Sequence, residues 1–190
     1  MKRMALVVIV LIFQDSTVPA NELESWYFYG GLGYADITYP GALDYQMEQV
    51  ADLPGVSHTS ITLDLPGVYW PRDDKTLTGV IVNSFGDRYE EGGEWIQLNG
   101  YLLSLSTMYF PKQIGDGFFT RADAGLTWYV MDSSVGLEDT SDKGFGILFG
   151  GGYGIPVASG TRILLNINYA MRRVNDENTN TLNISLGGLF

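Results

Sequence analysis

The sequence predicts an all-β protein, a single eight-stranded antiparallel up-and-down β-barrel that spans a membrane. Glycine is abundant, at 24 of 190 residues, where average usage would give roughly 13. Aromatic residues make up 13% of the chain, and strands favour them. Eight segments also alternate between apolar and polar side chains with a period of two, which is typical of strands.

The eight predicted strands follow one another without an intervening helical pattern, since we find no convincing 3.6-residue period after Ala20. Most of them reach the ~9–11 residues that a tilted membrane strand requires. In chain order they are Trp26–Tyr39, His58–Trp70, Lys75–Phe85, Trp95–Phe110, Gly117–Met131, Lys143–Ile155, Arg162–Val174 and Thr181–Phe190.

The first and third strands are ambiguous, so their faces are not assigned. The second has an apolar face of Ile61, Leu63, Leu65 and Tyr69 and a polar face of Thr62 and Asp64. In the fourth, polar residues change from odd positions (Gln97, Asn99) to even ones (Ser104, Ser106). This change of phase predicts a one-residue β-bulge near Gly100–Leu103.

The last four strands alternate most clearly. Their apolar faces are Ala122 to Val130 (even positions), Phe145 to Ile155 (odd), Ile163 to Met171 (odd) and Leu182 to Phe190 (even). The opposite faces carry Gly, Ser, Thr and Asn, together with Arg121, Asp123, Arg162 and Arg172.

The connections alternate in length and charge. Short turns that begin with Pro (71–74, 111–116 and 156–160) alternate with generally longer acidic loops (40–57, 86–94, 132–142 and 175–180). Outer-membrane barrels combine short periplasmic turns with longer external loops in this way. An even number of strands then returns Phe190 to the side on which the first strand began.

The direction of the apolar face decides between a membrane barrel and a soluble lipocalin-like binder. The polar faces carry almost no Lys or Glu, unlike a surface in contact with water. Aromatic residues also gather near the strand ends, as in the girdles of membrane barrels. The predicted girdle is Trp26, Tyr27, Phe28, Tyr69, Trp70, Tyr109, Phe110, Phe118, Phe119 and Phe190 on the turn side, with Tyr39, Phe85, Tyr89, Trp95, Trp128 and Phe145 on the loop side. The apolar faces are therefore predicted to point outward, into lipid.

Residues 1–20 have the pattern of a cleaved signal peptide. Lys2 and Arg3 precede the apolar stretch Met4–Phe13, and Val18-Pro19-Ala20 provides compact residues at the cleavage point. Cleavage after Ala20 would leave one barrel domain, residues 21–190, in the bacterial outer membrane.

The export signal, the eight strands, the glycine-rich stretch 144–154 and the terminal sequence Leu186 to Phe190 resemble the small outer-membrane β-barrels of Gram-negative bacteria, the OmpA/OmpW-like barrels. The resemblance covers the chain after residue 20. It implies that the barrel-assembly machinery recognises the last strand, with Leu186, Gly188 and Phe190 as the assembly signal. It supplies no catalytic motif.

Opposite charges in a narrow lumen should pair, so Asp64, Arg121, Asp123, Arg162 and Arg172 are predicted to form a lumenal charge network. Eight strands enclose only enough space for side chains, which favours a structural plug over a selective conduit.

His58 and Ser60, with Asp52 and Glu48 upstream, are the weak catalytic candidates of the sequence. Eight-stranded barrels that modify lipid include enzymes with a His-x-Ser spacing, so a lipid A-modifying hydrolase or acyltransferase is the alternative function. The sequence offers no second matching motif and no evident oxyanion hole, so a polar residue at a loop edge is the favoured explanation of His58.

The predicted function is therefore non-enzymatic: a structural, surface-interaction or narrow-conduit role. The expected partners are outer-membrane lipid, lipopolysaccharide and the assembly machinery. The acidic loops are also suited to divalent cations, although they lack calcium-loop spacing. A net charge of −11 argues against nucleic acid, and we predict no cofactor and no dedicated metal site.

Overall fold

The computed structural model describes residues 24–158 and 160–190, so the predicted signal peptide and its cleavage site lie outside the described residues. Eight long antiparallel strands form a closed barrel, which confirms the predicted fold class. The barrel strands are β1 (Tyr27–Thr38), β2 (Ser57–Pro71), β3 (Thr76–Glu91), β4 (Glu94–Tyr109), β5 (Gly117–Ser133), β7 (Gly144–Ala158), β8 (Thr161–Val174) and β9 (Glu177–Leu189). A helix, α1 (Ala42–Ala51), and a short strand, β6 (Glu138–Thr140), lie in two of the loops.

The barrel closes between its first and last strands. Each long strand pairs with the next long strand in the chain, and β1 pairs with β9 from Tyr29 opposite Leu189 to Thr38 opposite Asn180. Phe28 and Phe190 extend this pairing with two backbone hydrogen bonds, of 2.8 and 2.9 Å. Closure matters because it leaves no long strand with an unpaired edge.

The distribution of side chains is the reverse of that in a water-soluble barrel. Exposed apolar side chains form a band around the outer wall, among them Leu32, Leu105, Phe149, Ile167 and Ile184. The buried charged and amide side chains, among them Asp64, Asn83, Arg121 and Arg172, face the interior. The faces predicted for the last four barrel strands are confirmed.

The faces of β1 and β3, which the sequence left unassigned, follow from the structure: both strands place odd-numbered residues inward. In β3 both faces carry apolar residues, such as Ile81 inward and Val80 outward, and the sequence pattern was therefore ambiguous.

A β-bulge lies in β2 rather than in β4. Leu65 pairs with Val82 and Val68 with Val80, so β2 has one residue more than β3 across this step. Pro66 lies within the bulge, where the missing N–H of proline is tolerated. The bulge reverses the phase of β2, so the prediction that Tyr69 faces outward with Ile61 was wrong: Tyr69 is buried in the lumen.

The pairing of β4 with β3 and β5 runs without a register shift, so the predicted bulge near Gly100–Leu103 was wrong. The polar residues at odd positions have another explanation. Gln97 donates a hydrogen bond to Asn99, which donates one to Asp132, and these three side chains lie together on the outer wall near the loop end of the barrel.

The predicted loops contain more regular structure than expected. Residues 40–57 include α1, which was not predicted, and β3 and β4 extend to a two-residue turn at Gly92 and Gly93. The last loop is also a tight turn, at Asn175 and Asp176, which both have positive φ. Among the described residues, no helix combines the length and apolarity needed to cross a bilayer.

Many of the predicted girdle aromatics point inward instead. Trp26, Phe28, Trp70, Tyr109, Phe118 and Phe190 are exposed at the end of the barrel with the short turns, as predicted, and so is Phe145 towards the other end. Seven predicted girdle members are buried inside the barrel, which corrects the assignment: Tyr27, Tyr69, Phe110, Phe119, Tyr39, Phe85 and Tyr89. They contribute to the packing of the interior rather than to an interface with lipid headgroups.

Candidate functional site

An ion-pair network lies near the middle of the lumen. The Arg121 guanidinium contacts Asp64 (Nη1 to Oδ2, 3.0 Å) and Asp123 (Nη2 to Oδ2, 2.6 Å), and all three residues are buried. Tyr29 also donates a hydrogen bond to Asp64, and Ser106 lies within hydrogen-bonding reach of Asp123. The carboxylates are thus satisfied by both charge and hydrogen bonds, as buried ions require.

Arg172 joins this network through an amide. The Asn83 side chain donates to Asp64 (2.9 Å) and accepts a hydrogen bond from Arg172. Arg172 also donates to Thr181 (3.0 Å) and lies over the Phe85 ring. The connected set therefore contains two carboxylates and two guanidinium groups, so its formal charge is balanced.

Arg162 does not belong to this network. Its guanidinium lies 5.3 Å from the centre of the Tyr27 ring, at the turn end of the barrel. Its aliphatic carbons pass so close to Gly115 that a Cβ there would come within 2.4 Å of them. Of the five charged residues predicted to form one network, the structure brings four together and leaves Arg162 apart.

The lumen between the network and the turn end is filled by an apolar core. Its buried members are Tyr27, Tyr29, Tyr69, Leu77, Ile81, Met108, Phe110, Ile114, Phe119, Leu164 and Leu189. A solute crossing the barrel would have to displace both this core and the charge network. The packing therefore favours a plug over a conduit.

A second polar cluster, here called the mouth cluster, consists of Tyr39, His58, Ser60, Asp87 and Tyr89 at the loop end of the lumen. Asp87 is buried, and its carboxylate contacts His58 Nε2 at 2.6 Å and the hydroxyls of Tyr39 and Tyr89 at 2.6 and 2.9 Å. Ser60 also donates a hydrogen bond to it, and the rings of His58 and Tyr89 stack at 4.4 Å. Asp87 is thus the centre of the cluster.

Asp87 was not predicted as the partner of His58; the predicted carboxylates were Asp52 and Glu48. Neither of those two hydrogen-bonds to His58, although both line the adjacent cavity. Ser60 and Asp87 are direct partners across the β2–β3 pairing. The alternation of β3 could have identified Asp87 only if its register against β2 had been known.

The arrangement differs from that of a hydrolytic triad. In a triad the carboxylate and the nucleophile contact different ring nitrogens of the histidine. Here both Asp87 and Ser60 contact Nε2, at 2.6 and 3.0 Å. Because a carboxylate only accepts, Nε2 must carry the proton, and the Ser60 hydroxyl donates to Asp87 rather than to the ring. His58 is therefore not placed to take a proton from Ser60.

Burial raises the pKa of the Tyr39 hydroxyl strongly, and the negative charge of Asp87 adds to this effect. The Tyr39 phenol consequently stays protonated and continues to donate to Asp87 well above neutral pH. Tyr39 also donates its backbone N–H to Asp44 at 2.7 Å, which ties the start of the α1 segment to the barrel rim.

A cavity of about 550 Å³ opens beside the mouth cluster, between the barrel rim and α1. His58, Asp87 and Tyr89 line one side, and Asp44 and Glu48 of α1 line the other. Among the described residues, no three His, Asp or Glu side chains are arranged to hold a metal ion.

The predicted assembly residues lie on the outer face of the closing strand. Leu186 and Phe190 are exposed there, and the Phe190 ring covers Gly188 so closely that a Cβ at that position would meet it at 2.5 Å. The structure thus places the three residues on one surface, next to the seam between β1 and β9.

No protein-family model matches the chain, and no curated protein matches it either. Among solved structures, Neisserial surface protein A superposes with a TM-score of 0.53 at 16% identity, over 87% of this chain and 96% of that one. The fold is that of the small outer-membrane β-barrels.

Two other solved barrels align at lower scores. The N-terminal β-barrel domain of Pseudomonas aeruginosa OprF is 12% identical with a TM-score of 0.48, over 88% of this chain and 98% of that domain. The attachment invasion locus protein of Yersinia pestis, Ail, is 13% identical with a TM-score of 0.49, over 88% of this chain and all of that one. At 16% identity, the superposition on Neisserial surface protein A establishes the barrel fold alone.

Proposed function

We propose that this protein resides in the bacterial outer membrane as a closed barrel, and that its working surface is the loop end. Its role is structural or one of surface interaction, and it is neither a conduit nor an enzyme. The observation that carries this proposal is the filled lumen, in which an apolar core and a charge-balanced network occupy successive levels of the barrel.

The outer wall supports the membrane location. Its exposed apolar band would be costly in water, because each Å² of apolar surface hidden from water stabilises by about 25 cal/mol. A soluble lipocalin-like binder would instead place this face around a ligand cavity. Here the inward positions are filled by buried polar side chains and by a core of aromatic and aliphatic side chains packed against one another.

The location can be tested with purified outer membranes run on SDS gels with and without boiling. We expect a faster-migrating unboiled band, because a closed barrel resists detergent. A single unshifted band, together with recovery in the soluble periplasmic fraction, would contradict the proposal.

Solute passage can be tested by liposome swelling with small sugars and amino acids. We expect the chain to swell liposomes no faster than protein-free controls. An Arg121→Ala/Phe110→Ala variant, which opens space at both filled levels, provides the positive comparison if it still shifts on unboiled gels. If the unmodified chain swells the liposomes, the barrel conducts solutes and the proposal of a closed lumen is wrong.

The lipid-modifying alternative is less well supported, although the structure does bring His58, Ser60 and a carboxylate together. The shared Nε2 contact and the inward direction of Ser60 both oppose it. A hydrolase acting on membrane lipid needs its nucleophile within reach of the lipid. The mouth cluster is better explained as a hydrogen-bonded cluster that stabilises the loop ends of β1, β2 and β3.

A further inference from the structure

An apolar groove lies at the loop end next to the mouth cavity, with which it shares one lining residue, Tyr89. It has a volume of about 310 Å³ and runs between the segment after α1, the β3–β4 turn and the loop that joins β5 to β6. Its principal apolar side chains are Leu53, Trp95, Ile96, Val135 and Leu137. Three separate parts of the chain therefore contribute to one apolar surface.

The apolar side chains of this groove are unusually open. Leu53 is 53% exposed, Val135 66% and Leu137 59%. Isolated exposed apolar residues are normal, whereas a contiguous exposed group marks an interaction site.

Lipid does not explain this exposure. Arg88, Gln97 and Asp132 are paired across β3, β4 and β5 and point outward. This row of polar side chains is where the apolar band of the outer wall ends on the loop side. Trp95 and the loop after Ser133 lie beyond that limit, on the side away from the turn end.

The charged residues that line the groove are all acidic. Glu90, Glu91 and Glu94 line it, and its lining includes no Lys or Arg. The nearby Arg88 is occupied, since it pairs with Glu90 at 2.9 Å and lies over the Trp95 ring. Among the ion pairs of residues 24–158 and 160–190, none involves Glu91 or Glu94. An apolar floor with a negative rim is complementary to a ligand that is both apolar and cationic.

We propose that this groove binds an amphipathic, basic polypeptide segment, with apolar side chains in the groove and Lys or Arg against Glu91 and Glu94. The inference rests on the proposed function, because the partner must meet the loop end outside the cell. A second copy of this chain would bring acidic loops against acidic loops. Lipopolysaccharide, which is anionic, would meet the same repulsion.

The test uses the full chain reconstituted in phosphatidylcholine nanodiscs, with folding verified by the gel shift. The probe is a synthetic helical peptide of about 18 residues with a Leu stripe at i, i+3 and i+4 spacing and Lys elsewhere. Binding is measured by fluorescence anisotropy, with empty nanodiscs subtracted. Peptides with Glu in place of Lys, or with the same residues scrambled, serve as controls. We expect saturable binding of the Leu/Lys peptide alone, weakening as salt rises.

Two pairs of variants locate the site. Leu53→Ser should weaken binding by about tenfold, the effect of losing one well-packed apolar contact, whereas Leu43→Ser, on the exposed surface of α1, should not. Glu94→Lys should weaken it by about fivefold, whereas Glu177→Lys, at the β8–β9 turn, should not. Equal effects within each pair would overturn the assigned groove.

The result is separable from that of the proposed function. If the chain is gel-shifted and non-conducting but does not bind the peptide, the groove inference fails and the closed barrel stands. If the chain conducts solutes but binds the peptide with the predicted variant pattern, the closed barrel fails and the groove stands.

Discussion

Arg121 and Asp64 face each other across the lumen from strands that are not neighbours, with 3.0 Å between Nη1 and Oδ2. β2 pairs with β1 and β3, whereas β5 pairs with β4 and β7. The ion pair therefore links opposite walls, which the backbone ladder alone does not do. Asp123 shares the same guanidinium, so one side chain contacts two buried carboxylates. Arg172, linked to Asp64 through Asn83, supplies the second positive charge that balances the network.

Arg121→Met should be strongly destabilising, because it leaves Asp64 and Asp123 buried without their cation. We expect a loss of about 3–5 kcal/mol in the free energy of unfolding, measured by urea titration in phospholipid vesicles. Arg173→Met is the matched control. Its pair with Asp176 is solvent-exposed, so its loss should be under about 1 kcal/mol. Equal losses would show that the network contributes no more than a surface pair.

Gly187→Ala tests the packing of the lumen. A Cβ at this position would lie 2.5 Å from the buried Tyr29 ring, whose hydroxyl is held by Asp64. We expect a cost of about 1–3 kcal/mol from overpacking. Gly30→Ala, where the nearest atom is 3.6 Å away, should change stability by less than about 0.5 kcal/mol. If both variants have the same free energy of unfolding, the Tyr29 ring can shift to accommodate the added methyl group, and the lumen is less tightly packed than proposed.

The mouth cluster predicts a loss of stability in alkali. The pKa of Tyr39 is raised in the folded chain, whereas in the unfolded chain it has the ordinary tyrosine value of about 10. The unfolded state therefore releases this proton first. The contribution of Tyr39 to stability is complete below about pH 10 and falls as the pH rises further. Tyr39→Phe should flatten this fall when urea unfolding is compared at pH 9 and pH 11, and an unchanged slope would contradict the assignment.

A non-enzymatic mouth cluster predicts that His58→Ala leaves the membrane lipids unaltered. Cells that express the wild type, His58→Ala or Ser60→Ala should give the same lipid A profile by mass spectrometry as cells with an empty vector. Equal membrane levels of the three proteins, seen as gel-shifted bands, are the control. A lipid A species present only with the wild type would establish the lipid-modifying alternative.

Local pattern predicted the walls of this barrel well. The alternation is uninterrupted within β5, β8 and β9, and within β7 as far as Ile155, before the register shift at Pro156, so the face of each residue followed from its position. In β2, Pro66 and Gly67 were the available signal of a bulge, and it was overlooked. The prediction of a bulge in β4 was wrong because it required Gln97 and Asn99 to face the lumen. Both side chains instead face outward, near the end of the apolar band.

The helix α1 could not be predicted for a different reason. The residue that precedes it at the N-cap position, Gly41, has no side chain to cap the first turn, and the last turn of α1 has no basic residue. At ten residues it is too short to be stable alone. Contacts with the barrel rim, such as that of Asp44 with Tyr39, exist only once the barrel has formed.

By itself, the sequence determined the strands and, in most of them, two distinct faces, because a period of two separates neighbouring side chains irrespective of what lies opposite. The scarcity of Lys and Glu on the polar faces indicated that the apolar faces point outward. The tertiary structure alone decided which inward residues meet. Asp64 with Arg121, and His58 with Asp87, depend on strand register and on the curvature that brings opposite walls within a few ångströms. The apolar groove likewise exists only because closure gathers three distant segments at one end.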